Sequence, residues 1–245
     1  MAPNNQAPSN QASSSHHTRA GGAASLKYQL ERNRLIRDPA DMRNHDPRLK
    51  ALQRYQAQRL VLDYDALRRL PKNDAACDFF LNELYGDQDF SKRDHDVERI
   101  YPIMVKLLPT QVLETVGRAV ELNALSHELD LEMLTHLPSS GEITDASYAL
   151  AYQITAASGA RRYQLTRIIK LGRELARVVK IPLMYKLLQM CRWPAKLAGL
   201  GALQGFLERG FAAFVKLDGA GPFLRAVLYT EKRFMLRCLA QRVPE

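Results

Sequence analysis

The chain has 245 residues, 46% of them apolar and 25% charged, with a net charge of +9 at pH 7. That length can bury a sizeable core in one domain or two small ones, and the composition excludes a fibre or a wholly disordered chain. Charge is sorted by segment: one Arg and no acid in residues 1–25, 12 basic against 6 acidic side chains in 26–72, 5 against 15 in 74–150, and 17 against 5 in 151–245. An acidic middle between two basic arms can close on itself or present a basic surface to a partner.

Residues 1–25 are mostly Asn, Gln, Ser, Ala and Pro. They cannot bury enough apolar area to offset ordering entropy, so a disordered tail is expected there and a folded domain over 26–245. The tail lacks the apolar stretch of a secretory signal. No run of 18 uncharged apolar residues occurs, which argues against an integral membrane protein. Cys77, Cys191 and Cys238 are odd in number, with no CxxC, so a disulfide framework is not expected and a reducing cytoplasm is the simplest setting.

From residue 26 onward the periodicity is helical. A first helix is predicted over 26–37, stopping before Asp38-Pro39. Asp46-Pro47 reads as a cap and first turn for a helix to about residue 70, ended by Pro71. Asn73 or Asp74 starts a third, ending at Tyr85-Gly86. Ser91 with Asp94 resembles a capping box for a fourth, to about 108, with Pro102 inside it as a source of a kink. A fifth is predicted over 110–137, then a loop at 138–141. Thr144 caps a sixth to about 158, closed by Gly159. The rest reads as helices over 161–180, 183–192, 194–217 and 222–242. No alternating β-branched runs occur, so the expected class is all-α: a single helical bundle-like domain of about nine or ten helices.

Residues 79–99 are the most distinctive stretch. Phe79-Phe80, Leu84-Tyr85-Gly86, Asp89-Phe90, Arg93-Asp94, Asp96 and Glu98-Arg99 resemble, together with Pro102 and the apolar stretch from Pro194 to Phe214, a family of all-helical bacterial proteins of unknown function over about residues 45–240. The resemblance implies a fold and no activity. Physically the block reads first as a charged interhelical turn, its acids near the positive end of a helix dipole. Were it to hold a polar ligand, Tyr85, Asp89, Arg93, Asp94 and Glu98 would line the site.

Carboxylate-bridged metal bundles need inward Glu residues and Glu-x-x-His pairs. His95 with Glu98, Glu128 beside His127, and Glu132 with His136 only approximate that pattern, so no metal or cofactor is assigned. No Ser-His-Asp or Cys-His constellation appears, and no catalytic residue is named. The predicted helix over 161–180 carries the cleanest face: Arg162, Lys170, Arg173, Arg177 and Lys180 fall within an arc of about 80° at 100° per residue. Such a stripe is either solvated, docked on the acidic middle, or an interface for anionic lipid, an acidic protein or a second copy. Nucleic acid is disfavoured, because no aromatic residues interleave with it. Gly201 and Gly205 suggest a close helix contact on a buried, central helix beginning near Pro194.

The sequence therefore points to a cytoplasmic, non-catalytic interaction or ligand-binding module. The alternative is a metal- or cofactor-dependent helical enzyme using the acidic 83–136 segment.

Overall fold

The computed structural model describes residues 10–84, 91–139, 142–156, 159–217 and 219–241, with side chains from residue 20 apart from 84 and 91–94. The described residues form α-helices and no strand: α1 Asn10–Ile36, α2 Pro47–Arg68, α3 Asp74–Phe79, α4 Ser91–Leu107, α5 Thr110–Leu134, α6 Asp145–Ala156, α7 Ala160–Val178, α8 Pro182–Leu197, α9 Gly201–Lys216 and α10 Gly221–Ala240. A short 3-10 turn, Met42–His45, precedes α2, and a π-helical turn, Phe80–Leu84, extends α3.

The local signals explain most of these boundaries. Asp46 accepts the Arg48 N–H at 2.8 Å, and Pro47 supplies a first residue that needs no hydrogen bond. Thr144 Oγ1 accepts the Ser147 N–H at 3.2 Å while Ser147 Oγ accepts the Thr144 N–H at 3.0 Å, a reciprocal cap that opens α6. Pro102 lies inside α4.

Two boundaries differ from expectation. Helix α1 begins at Asn10, well before residue 26, and Ala23 is buried with its carbonyl accepting the Tyr101 hydroxyl at 3.0 Å. The second difference is between α8 and α9. Pro194 lies within α8, and the break falls at Gly199, whose φ of +74° suits glycine. Its N–H reaches the Lys196 carbonyl at 3.2 Å, and the Leu200 N–H reaches the Ala195 carbonyl at 2.8 Å, closing the end of α8.

The centre of the molecule is α5, not the helix after Pro194. Eleven α5 residues are buried, and α5 packs on α1, α2, α6 and α7. The buried apolar residues form three clusters, two of which include α5. Leu26, Leu30, Met104 and Leu113 join α1, α4 and α5. Leu52, Met133, Tyr148, Tyr152 and Phe234 join α2, α5, α6 and α10. Tyr64, Cys77, Ile169, Phe214 and Phe223 join α2, α3, α7, α9 and α10. Helix α9 buries one side only, and Leu207 and Val215 remain exposed. The close approach expected at Gly201 and Gly205 lies instead at Gly210. A side chain at Gly201 would meet nothing within 4 Å, and one at Gly205 only the end of Arg209.

The charge segments do close on one another. Arg32 pairs with Glu128, Arg68 with Asp78 at 2.7 Å, Arg167 with Glu121 at 3.1 Å, Arg209 with Glu83 at 2.6 Å and Lys216 with Asp74 at 2.7 Å. Each joins a basic arm to the acidic middle.

Candidate functional site

Of the residues expected around the polar turn, Tyr85 and Asp89 lie outside the described residues, as do the side chains of Arg93 and Asp94, whose backbone forms the first turn of α4. Glu98 is half-buried one turn further on. Its neighbour Asp96 is buried and accepts from Arg99 Nη1 at 3.2 Å. Arg99 also donates to the Ala198 carbonyl at 3.3 Å, which ties α4 to the α8–α9 junction.

The potential metal donors are spread out. His95 is exposed, Glu128 is engaged by Arg32, and His127 is turned to Asn44. Among the described residues, no three His, Cys, Asp or Glu side chains stand close enough to share a metal ion.

Helix α7 does present the expected basic face. Its inner side is set by Leu165, Ile169 and Gly172, all buried, with Leu224 of α10 lying against Gly172. Glu174 is buried and accepts from Arg118 Nη1 at 3.2 Å. With that side fixed, Arg162, Lys170, Arg173, Arg177 and Lys180 are all exposed. None of the five side chains makes an ion pair or hydrogen bond among the described residues, whereas Arg167 of the same helix is held by Glu121 and Tyr163. Docking of this stripe on the acidic middle is therefore not what occupies it. Like charges held along one helix face raise the local potential and attract anionic groups.

Sequence reasoning missed a buried polar centre. His127 Nε2 lies 2.6 Å from Asn44 Oδ1, and Asn44 Nδ2 donates to the carbonyls of Ile36 and Asp38, both at 3.0 Å. The amide oxygen can only accept, so the imidazole proton is placed on Nε2. Burial, with help from Arg37, pushes the His127 pKa down to about 4. Asp130, one turn on, is buried and accepts from Gln56 Nε2 at 2.9 Å; burial raises its pKa, against the pull of Arg161. Arg161 is itself buried, 5.0 Å above the Tyr152 ring, and donates to the Leu129 carbonyl at 3.4 Å. The arrangement pins the α1–α2 connection and α7 onto α5. One signal could have found it: His127 occupies the apolar stripe Ala124, His127, Leu131, Leu134 of α5.

A narrow cleft opens beside a second polar group. Leu60, Tyr64, Phe80, Leu81, Ile168 and Val227 line it, with Glu231 at one wall. Only about 20 Å³ of it can hold the centre of a water molecule, which is too small for an organic ligand in this conformation. Glu231 Oε1 accepts from Arg59 Nη1 and Tyr64 Oη, each at 2.9 Å.

A family model described as Domain of unknown function (DUF8198) matches residues 35–244. No match was found among curated proteins or among solved structures. No described helix is long and apolar enough to cross a membrane.

Proposed function

The chain belongs to the family of the Domain of unknown function (DUF8198), which assigns it no activity, and from the geometry we propose that it is a non-catalytic interaction module whose working surface is the basic face of α7. One observation carries this reading: Arg162, Lys170, Arg173 and Arg177 on one face of α7, and Lys180 in the turn that follows it, are exposed and have no partner among the described residues, while the other two arginines of α7 are engaged. The chain has satisfied much of its acidic middle with other cations and left this stripe free. An acidic protein segment is the partner class that the stripe fits, in the cytoplasm expected from the cysteine usage. A second copy of the chain could supply such a segment.

Binding of polyglutamate, followed by calorimetry at low and high salt, tests the reading. Wild type should bind, salt should weaken the complex, and Arg173→Glu/Arg177→Glu should abolish it without loss of fold. Equal binding by the reversed variant would sink the assignment to α7. A preference for duplex DNA over polyglutamate would move the partner class to nucleic acid.

A further inference from the structure

Helix α8 has no buried residue, although it is rich in apolar side chains. Its inner side rests on α9, the helix it chiefly packs against. Met184, Leu187, Leu188, Cys191 and Ala195 are half-buried there. Gln204 of α9 donates to the Leu188 carbonyl at 2.7 Å, and Arg192 is held by Glu208 at 2.8 Å. The helix is thus fixed in place without being covered.

The opposite side is apolar and bare. Leu183, Met190, Trp193 and Leu197 fall within about 80° of one another at 100° per residue. They are 59%, 74%, 72% and 70% exposed. Lys186 sits within this stripe and Lys196 beside it, both exposed. Between Glu174 and Glu208 the chain carries Arg177, Lys180, Lys186, Arg192 and Lys196 and no acid. Contiguous exposed apolar residues mark a contact surface, and this one is set in positive charge.

We infer that the outer face of α8 is a peripheral docking surface for an anionic lipid bilayer, with Leu183, Met190, Trp193 and Leu197 entering the boundary of headgroups and acyl chains and Lys186 and Lys196 meeting lipid phosphates. A fixed helix lying flat, with Trp and aliphatic residues outward and lysines along its flanks, has the chemistry of an interfacial helix, whose apolar side sinks by about 5–10 Å. Lysine stems can lie along the apolar stripe while their ammonium groups stay at the phosphate level. A two-fold pairing of α8 with a second copy fits less well, because an antiparallel contact centred on this stripe sets Lys186 of each copy near Lys196 of the other, like charge against like. The inference stands apart from the α7 reading and needs no acidic protein.

Trp193 is the only tryptophan in the chain and reports on this face directly. Its emission should shift to the blue, and brominated acyl chains should quench it, with vesicles of phosphatidylcholine containing phosphatidylserine and not with phosphatidylcholine alone. Replacing Lys186 and Lys196 by Gln should weaken partitioning roughly fivefold per lysine. Met190→Asp/Leu197→Asp should abolish the Trp193 shift and leave thermal unfolding unchanged, since both side chains are exposed. The inference is overturned if anionic vesicles leave Trp193 unshifted, or if the aspartate variant partitions like wild type. It is overturned equally if the shift follows protein concentration without lipid, which would assign the face to a second copy. A shift produced by polyglutamate and not by vesicles would assign it to an acidic protein.

Discussion

Phe79 lies across the backbone of Gly210: a Cβ at Gly210 would come within 2.7 Å of Phe79 Cζ and 3.0 Å of Cε2. Phe79 is itself buried at the end of α3 and packs on Phe206 at a centroid distance of 5.2 Å, so the ring has little room to retreat. Gly210 is thus the residue that lets α3 and α9 meet. Gly210→Ala should cost roughly 1–3 kcal/mol through overpacking, although Ala is the better helix former by about 1 kcal/mol. At Gly205 the sign reverses. The nearest atom is Arg209 Nη1 at 3.0 Å, the end of a flexible side chain that can swing out. Gly205→Ala should stabilise by up to about 1 kcal/mol. Urea midpoints of the two variants decide the matter; a neutral Gly210→Ala would show that α3 and α9 are not in close contact.

The reason the sequence pointed to the wrong glycine is general. Spacing within a helix shows which residues share a face, but not which face meets a neighbour. Gly201 and Gly205 form a small-residue pair, and Gly210 has no such partner, yet only Gly210 faces Phe79. The break at Gly199 was hidden for a related reason. Residues 197–207 hold no charged side chain and read as one stretch, and a positive φ leaves no periodic trace. The start of α1 was equally hidden, since residues 10–25 lack an apolar stripe and the helix there runs straight into the part anchored by Ala23 and Leu26. What was legible was local. Asp46-Pro47 and Thr144 cap their helices through atoms two and three residues away, and the basic face of α7 follows from spacing alone. At the polar centre His127 stands out in the apolar stripe of α5, but Asn44 and Gln56, which hold His127 and Asp130, lie more than 70 positions away, where no window could show them.

Thiol reactivity should separate the three cysteines. Cys77 and Cys238 are buried, and burial pushes both thiols up to about 11. Cys191 is half-buried on α8. Since the thiolate is the reactive form, the native protein should give one fast equivalent with a disulfide reagent and three after denaturation. Cys191→Ser should remove the fast phase. Two fast equivalents in the wild type would mean that the packing around α3 or α10 opens readily.

Stability should fall in mild acid because of His127. Its folded pKa of about 4 lies below the ordinary 6.5, so the unfolded chain binds the proton more tightly. The stabilisation from this group is complete above pH 6.5 and is lost as pH falls toward 4. The full span is worth up to roughly 3 kcal/mol. Asp130 acts in the opposite sense, because burial raises its pKa above the unfolded value, and folding then favours its protonated form as pH falls. Comparing wild type with His127→Gln isolates the histidine. Denaturation midpoints of the two should converge between pH 6.5 and 4; parallel curves would show that the imidazole is not buried neutral against Asn44.

Two sets of arginines should respond to substitution in opposite ways. Arg59 is largely shielded from solvent: its guanidinium lies 3.9 Å from the Phe234 centroid, and it donates to Glu231 at 2.9 Å. Removing it leaves the Glu231 carboxylate beside Leu60, Val227 and the Tyr64 hydroxyl, with one donor where there were two. Arg59→Met should therefore cost roughly 2–4 kcal/mol, and added salt should change that little, because a shielded pair is weakly screened. Glu231→Gln keeps an acceptor for both donors and should cost less. Arg173 and Arg177 have no such partner, so Arg173→Glu/Arg177→Glu should leave stability within about 0.5 kcal/mol of wild type. The comparison tests the division of labour directly. If reversing the α7 stripe destabilises the chain as much as losing Arg59 does, those cations are part of the fold and are not free to meet a partner.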